Sequence, residues 1–207
     1  MKPKVSTPFF SFLNYWKVSP IAYKKLGRWT SCFYYFLIVL TFFYFLKAKQ
    51  SGLDDTMVIG VYIFYNLIYA MFAFPIGIIA DKVGLKKIFI IGLVLFSVVY
   101  FGMSANTNLY LFFGLFFLYG IYASATEGIS KAWISNITDK KDTATAIGTF
   151  SGFQSICTML ASTFAGLIWF QFGATMTFLI TAIATLIIVL YFWTIPKPDN
   201  FRNQVKK

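Results

Sequence analysis

Six apolar runs, each long enough to cross a lipid bilayer, constrain this chain more than any other feature. They cover residues 30–47, 57–80, 86–104, 108–131, 143–170 and 174–194. At about 1.5 Å per helical residue, a run of roughly 17 residues or more matches the hydrocarbon thickness of about 30 Å. Lipid offers backbone N–H and C=O groups no partner, so each run is expected to be an α-helix that satisfies them internally. The 207 residues are 58% hydrophobic and 21% aromatic, more apolar surface than a soluble domain of this size can bury. The expected fold is all-α: a polytopic, six-helix transmembrane bundle over 30–194, embedded in the lipid bilayer. Residues 1–29 form a cytoplasmic, partly interfacial segment and 195–207 a cytoplasmic tail.

Charge sets the orientation. Of 18 Lys and Arg residues, six lie in 1–28, three between the second and third runs (Lys82, Lys86, Lys87), three between the fourth and fifth (Lys131, Lys140, Lys141) and four in the tail. Only Lys47 and Lys49 fall on the opposite face. The positive-inside rule then places both termini in the cytoplasm of a multi-pass cell-membrane protein. The net charge of +11 is accounted for by this topology, and no nucleic-acid partner is expected. Cys32 and Cys157 lie within apolar runs and are read as small packing residues. The chain has no histidine, which removes the usual general base and the commonest metal ligand. With no P-loop spacing, catalytic carboxylate pair or ligand cluster, the expectation is a protein without enzyme activity, metal or cofactor.

The runs differ in polarity. Ile88 to Met103 of the third and Met176 to Trp193 of the sixth contain no charge, Asn or Gln, so these spans can face lipid all round. The second carries Asn66, Tyr62, Tyr65 and Tyr69; the fourth Ser124, Thr126, Glu127 and Ser130; the fifth Ser151, Gln154, Ser155 and Thr158. Those three need protein or water partners. Ala144, Gly148 and Gly152 recur four apart on the fifth, which lets another helix approach closely.

Between the second and third runs lies Gly77-Ile-Ile-Ala-Asp81-Lys82-Val-Gly84-Leu-Lys86-Lys87, read as a Gly-punctuated, charged turn. An ionised carboxylate beside a membrane-length helix is costly unless paired or capped, so Asp81 should have a specific role. This stretch resembles the loop motif between the second and third helices of each six-helix half of the major facilitator superfamily. Tyr119-Gly120 to Glu127-Gly128-x-x-Lys131-Ala132, followed by Asn136 to Ala144, resembles the matching fourth helix and the loop after it in bacterial permeases. With Pro75 and the Phe164–Trp169 stretch, the resemblance extends from about residue 20 to 195 and is nearest to a C-terminal half.

The resemblance implies a secondary active transporter of a small solute, working by alternating access in the cell membrane, the inner membrane in bacteria. Such transporters have twelve helices, so a six-helix chain is expected to need a second half or to form a homodimer. Beginning at Met1, it reads as a half-size product, part of a split gene or a truncated remnant; the alternative is a non-transporting helix bundle with an assembly or regulatory role. The implied gating cluster comprises Gly77, Asp81, Lys82, Gly84, Lys86, Lys87, Glu127 and Lys131. In it Asp81 interacts with Lys131 in one state and caps a helix of the opposite half. Glu127 and Lys131 lie four apart on one helical face. Candidate substrate contacts are Tyr34, Tyr35, Tyr44, Tyr122, Ser124 and Thr126 on the first and fourth helices, with Asn66 and Gln154 from their neighbours. Each of these has packing as its plainer alternative.

Overall fold

The computed structural model describes residues 47, 49, 54–105, 108–140 and 142–194. Within them lie α1 (Asp55–Val83), α2 (Leu85–Ala105), α3 (Leu109–Ile137) and α4 (Thr143–Thr194), and no strand. All four are long and apolar enough to cross a membrane. The 52 residues of α4 contain one non-helical residue, Gly173 at φ 78 and ψ 177, which separates a 30-residue arm (143–172) from a 21-residue arm (174–194). These arms coincide with the fifth and sixth runs, so five of the six runs lie in helices. The first run, apart from Lys47, and the segments 1–29 and 195–207 lie outside the described residues.

The helix ends follow from local chemistry. Asp54 caps α1 by accepting from the Met57 N–H at 2.8 Å, and Asn108 caps α3 by accepting from the Tyr110 N–H at 2.9 Å. Asp139 and Asp142 precede the first turn of α4, where a negative charge suits the helix dipole. Lys49 pairs with Asp55 at 2.8 Å, and with both side chains largely exposed the pair adds little stability. The expected turn over Gly77–Lys87 is much shorter than its sequence suggests. The helix runs through Gly77, Asp81 and Lys82 to Val83, and the reversal is made at Gly84 alone. At φ 106 Gly84 donates to the Ala80 carbonyl at 2.8 Å and accepts from Lys87 and Ile88, ending α1 and starting α2 at once. Side-chain-bearing residues rarely adopt that φ, so the need for glycine is conformational here.

α2 is the hub. It packs most extensively against α3 and α4, α3 also carries α1, and α1 touches α2 only lightly. The α2–α3 pair is antiparallel and close: a Cβ on Gly92 would stand 2.7 Å from Thr126 Cγ2, and one on Gly102 would stand 2.8 Å from Leu115 Cδ2. Between these points Phe96 stacks on Tyr100 at 4.0 Å and meets Tyr122 at 4.7 Å. The second arm of α4 lies along the other side of α2. Tyr100 meets Phe178 at 5.6 Å, the Ser97 hydroxyl donates to the Ala182 carbonyl at 3.1 Å, and Phe89 meets Phe192 at 5.4 Å. Near Gly173, Trp169 of the first arm contacts Phe178 of the second at 5.8 Å.

The third and sixth runs, free to face lipid all round, do not do so. Leu93, Phe96, Val99, Tyr100 and Met103 of α2 are fully buried, and its exposed large apolar side chains form one stripe, Ile91, Val94, Val98 and Phe101. On the 174–194 arm Thr177, Thr181 and Thr185 line the buried face. Each donates its hydroxyl to the carbonyl four residues back, at 3.0, 2.7 and 2.8 Å. A helix without strongly polar groups is permitted to face lipid but not obliged to, because in a bilayer packing, not hydrophobicity, drives helix association. Small residues decide, and α2 has Gly92, Ser97 and Gly102 where its neighbours come closest.

Gly92→Ala is expected to destabilise the bundle by about 1–3 kcal/mol through overpacking, whereas Gly114→Ala, where no described atom lies within 4 Å of the added methyl, should leave the midpoint of thermal unfolding in detergent unchanged. In the same assay Gly84→Ala should cost about 1–3 kcal/mol from backbone strain; equal midpoints for all three variants would contradict this account of the packing and the turn.

Candidate functional site

Six of the seven acidic residues lie among the described residues, and helix physics accounts for four. Asp54, Asp55, Asp139 and Asp142 all stand at or just before helix N-termini. Asp81 and Glu127 do not fit that pattern. Asp81 is in the last turn of α1, where the carbonyl end of the helix disfavours a negative charge. It is exposed, and Lys82, its neighbour in sequence, is the basic residue of that turn. The expected ion pair between Asp81 and Lys131 is not formed in this structure: the salt bridge among the described residues is Lys49–Asp55. Gly77 is helical, and no described atom lies within 4 Å of a Cβ built on it. Its side of α1 is thus open towards the described elements, as are the exposed Gly148 and Gly152 on the first arm of α4. The small-residue stripe of the fifth run accordingly receives no helix from the described part of the chain.

Glu127 lies ten residues before the end of α3. It is half-buried, with Lys131 one turn further along and exposed. The two interact electrostatically without reaching ion-pair distance. Across the α1–α3 contact, the side of α3 that carries Glu127 meets α1. α1 and α3 run in parallel here: Phe64 meets Phe113 at 6.2 Å, and Ile68 Cγ2 lies 2.7 Å from where a Gly120 Cβ would be. Tyr65 packs on Tyr119 at 5.3 Å and neighbours Tyr62 at 6.4 Å. Gly120 thus admits Ile68 and brings the tyrosine face of α1 against the face of α3 that carries Glu127.

The other candidates divide clearly. Thr126 is fully buried and donates to the Tyr122 and Ala123 carbonyls at 2.9 and 3.3 Å. Ser124 donates to the Ile121 carbonyl at 2.7 Å, and Tyr122 is buried in the aromatic stack with Phe96 and Tyr119. Tyr122 and Thr126 are directed into the α2–α3 packing, and Ser124 is buried with its hydroxyl returned to its own helix. Asn66 is half-buried and donates from Nδ2 to the Tyr62 carbonyl at 2.8 Å, which leaves its Oδ1 available beside the tyrosines. Gln154 is half-buried on the first arm of α4. Lys86 is half-buried and Lys87 exposed in the first turn of α2. Tyr34, Tyr35 and Tyr44 lie outside the described residues. The packing of Tyr65 on Tyr119 of α3 is new; its sequence signal was the spacing of tyrosines at 62, 65 and 69, which places all three on one helical face. Among the described residues no cluster of His, Cys, Asp or Glu is placed to hold a metal ion.

The described residues here comprise long helices, a tight turn at Gly84 flanked by charged residues, and a half-buried carboxylate at Glu127. The sequence profile of the Major Facilitator Superfamily matches residues 8–207. An uncharacterized MFS-type transporter of Methanocaldococcus jannaschii is 33% identical over 151 residues, which cover 70% of this chain and 38% of that protein. The chain therefore spans well under two thirds of that relative's length. With a profile match along nearly its whole length, a multi-pass helical bundle and the Gly77–Lys87 motif in register between α1 and α2, the chain belongs to the Major Facilitator Superfamily of transporters.

Proposed function

We propose that this chain is one half of a secondary active transporter of a small solute. It would work by alternating access after a second six-helix half, from another polypeptide or a second copy, packs against α1 and the 143–172 arm of α4. One observation carries the reading: among the described elements those two are the least covered, and their open faces combine large apolar side chains with the exposed Tyr62 and Ser155. Gly77, Gly148 and Gly152 add room for a close helix approach. The open faces of α2 and of the 174–194 arm carry Ile91, Val94, Val98 and Phe101 on one and Ile183, Ile187 and Leu190 on the other, without a matching small-residue stripe.

Asp81 supports the same reading. At the wrong end of its own helix, it is best placed to meet the positive end of a helix from outside the described bundle. Pairing there in one state and with Lys131 in another would bias the two conformations. The charge bias of the loops supports cytoplasmic termini, with the Gly84 turn on the cytoplasmic face of the cell membrane. Without a nucleotide-binding motif in the sequence, a solute or ion gradient is the energy source this reading requires.

Asp81→Asn is expected to lower solute flux about tenfold, the effect of about 1.4 kcal/mol, with an unchanged amount of membrane-inserted protein; parallel loss of both would reduce Asp81 to a folding role. Gly148→Leu should weaken association of the halves by about tenfold on the same scale, read as the cross-linked fraction in membranes. Undiminished cross-linking would remove the 143–172 arm from the interface. No flux in proteoliposomes, with or without a second half, would favour the non-transporting bundle.

A further inference from the structure

The two least covered of the described elements have opposite shapes. On α1 the open face is a ridge: Ile63, Leu67, Met71, Phe74 and Ile78 are all exposed, and Phe74 at 77% is the most exposed large apolar side chain of the helix. At 3.6 residues per turn these five fall on one side of α1, and Asp81 falls on that side too. On the 143–172 arm of α4 the open face is a groove. Ala144, Gly148, Gly152 and Ser155 are exposed and share one side of its first turns, and no described neighbour lies within 4 Å of a Cβ built on either glycine. Ridges pack into grooves, and in lipid the closer contact is the gain.

The two faces also match in depth. α1 ends and α4 starts at the same end of the bundle, because α1 and α3 run in parallel and α4 follows α3 after a short connection. Phe74 stands nine residues from Val83, the last of α1, and Gly152 stands nine from Thr143, the first of α4. Ile78 and Gly148 each stand five residues from those ends, and Met71 and Ser155 twelve. With the same rise per residue in both helices, each large side chain lies at the depth of a small one. The charges complement as well. Asp81 closes the ridge, and the groove starts beside the exposed Lys140 at the positive end of the α4 dipole. Within one chain α1 and α4 share no extensive contact, so the ridge does not fill the groove of its own chain.

We propose that the partner is a second copy of this chain: the α1 ridge of one copy packs into the 143–172 groove of the other, and the reciprocal contact closes a homodimer about a two-fold axis along the membrane normal. This names the partner in the transporter reading above and rests on that reading for the two faces being the boundary between halves. Association of the copies is measured without flux.

Two full-length copies with different tags, both with Cys32 and Cys157 replaced by alanine, are co-expressed and treated in membranes with a short bis-maleimide. One copy carries Met71→Cys and the other Ser155→Cys. Cross-links joining the two tags are expected, whereas Met71→Cys copies should not join each other, since the two-fold axis sets position 71 against 155. A chain with both cysteines should stop at the dimer; a ladder of larger species would overturn the two-fold arrangement. Gly152→Leu, which fills the groove, should lower the cross-linked fraction about tenfold or more. Combining it with Phe74→Ala should recover part of that loss, which a folding defect would not do. Asp81→Lys in one copy should lower the fraction about twofold to fivefold, and Lys140→Asp in the other copy should restore it. Inserted protein is quantified for every variant. No joining of the tags, equal joining of Met71→Cys copies to each other, or joining indifferent to Gly152→Leu would overturn the homodimer. Solute flux that appears only with a different six-helix chain would also overturn it and leave the transporter reading standing. Joined copies without flux would do the reverse.

Discussion

The whole bundle depends on how closely α2 approaches its neighbours. In water, burying Phe96, Tyr100 and Met103 would itself drive assembly. In a bilayer, lipid chains are as apolar as the side chains they replace, and only better contact remains as a gain. Gly92 against Thr126, Gly102 against Leu115 and Gly120 against Ile68 supply that contact. The Phe96–Tyr100 stack, extended to Tyr122 and Phe178, fills the space between three helices. At one end of α2, Phe89, Trp133 and Phe192 repeat the arrangement with rings from α2, α3 and α4. Polar groups in this core are mostly hydroxyls returned to their own helix; Ser97 to Ala182 is the exception that ties two helices directly.

That economy makes the two remaining charges informative. Four acidic residues stand where a helix start favours them, and Lys49 balances one across an exposed pair. Asp81 stands where its own helix opposes it, and Glu127 stands where lipid would. A residue kept at a local cost points to an interaction made elsewhere. For Asp81 the open side of α1 suggests an external helix.

Much of this was legible in the residues. The apolar runs located α1, α2, α3 and both arms of α4 to within a few residues, because the length of an apolar run and the need to satisfy backbone groups in lipid leave little freedom. Glu127 and Asp81 stood out as costly charges without any coordinates. Burial was not legible. The third run reads as lipid-facing because it lacks polar groups, yet it is the central helix; apolar side chains serve equally against lipid and against protein. Tyr122, Ser124 and Thr126 read as cavity candidates, yet the packing turns them inward, since a hydroxyl can return to its own helix wherever it points. The Gly77–Lys87 stretch reads as a loop because it is rich in charge and glycine, but only Gly84 has a backbone that leaves the helix.

The sequence by itself determined the solvent, the number of apolar segments and the places where charge is expensive, all of which follow from transfer energies that each residue carries with it. Tertiary structure alone decided which segment is central and which glycine turns the chain. Those depend on the distances of closest approach between helices, set jointly by residues far apart in the chain: Gly92 with Thr126, and Ile68 with Gly120.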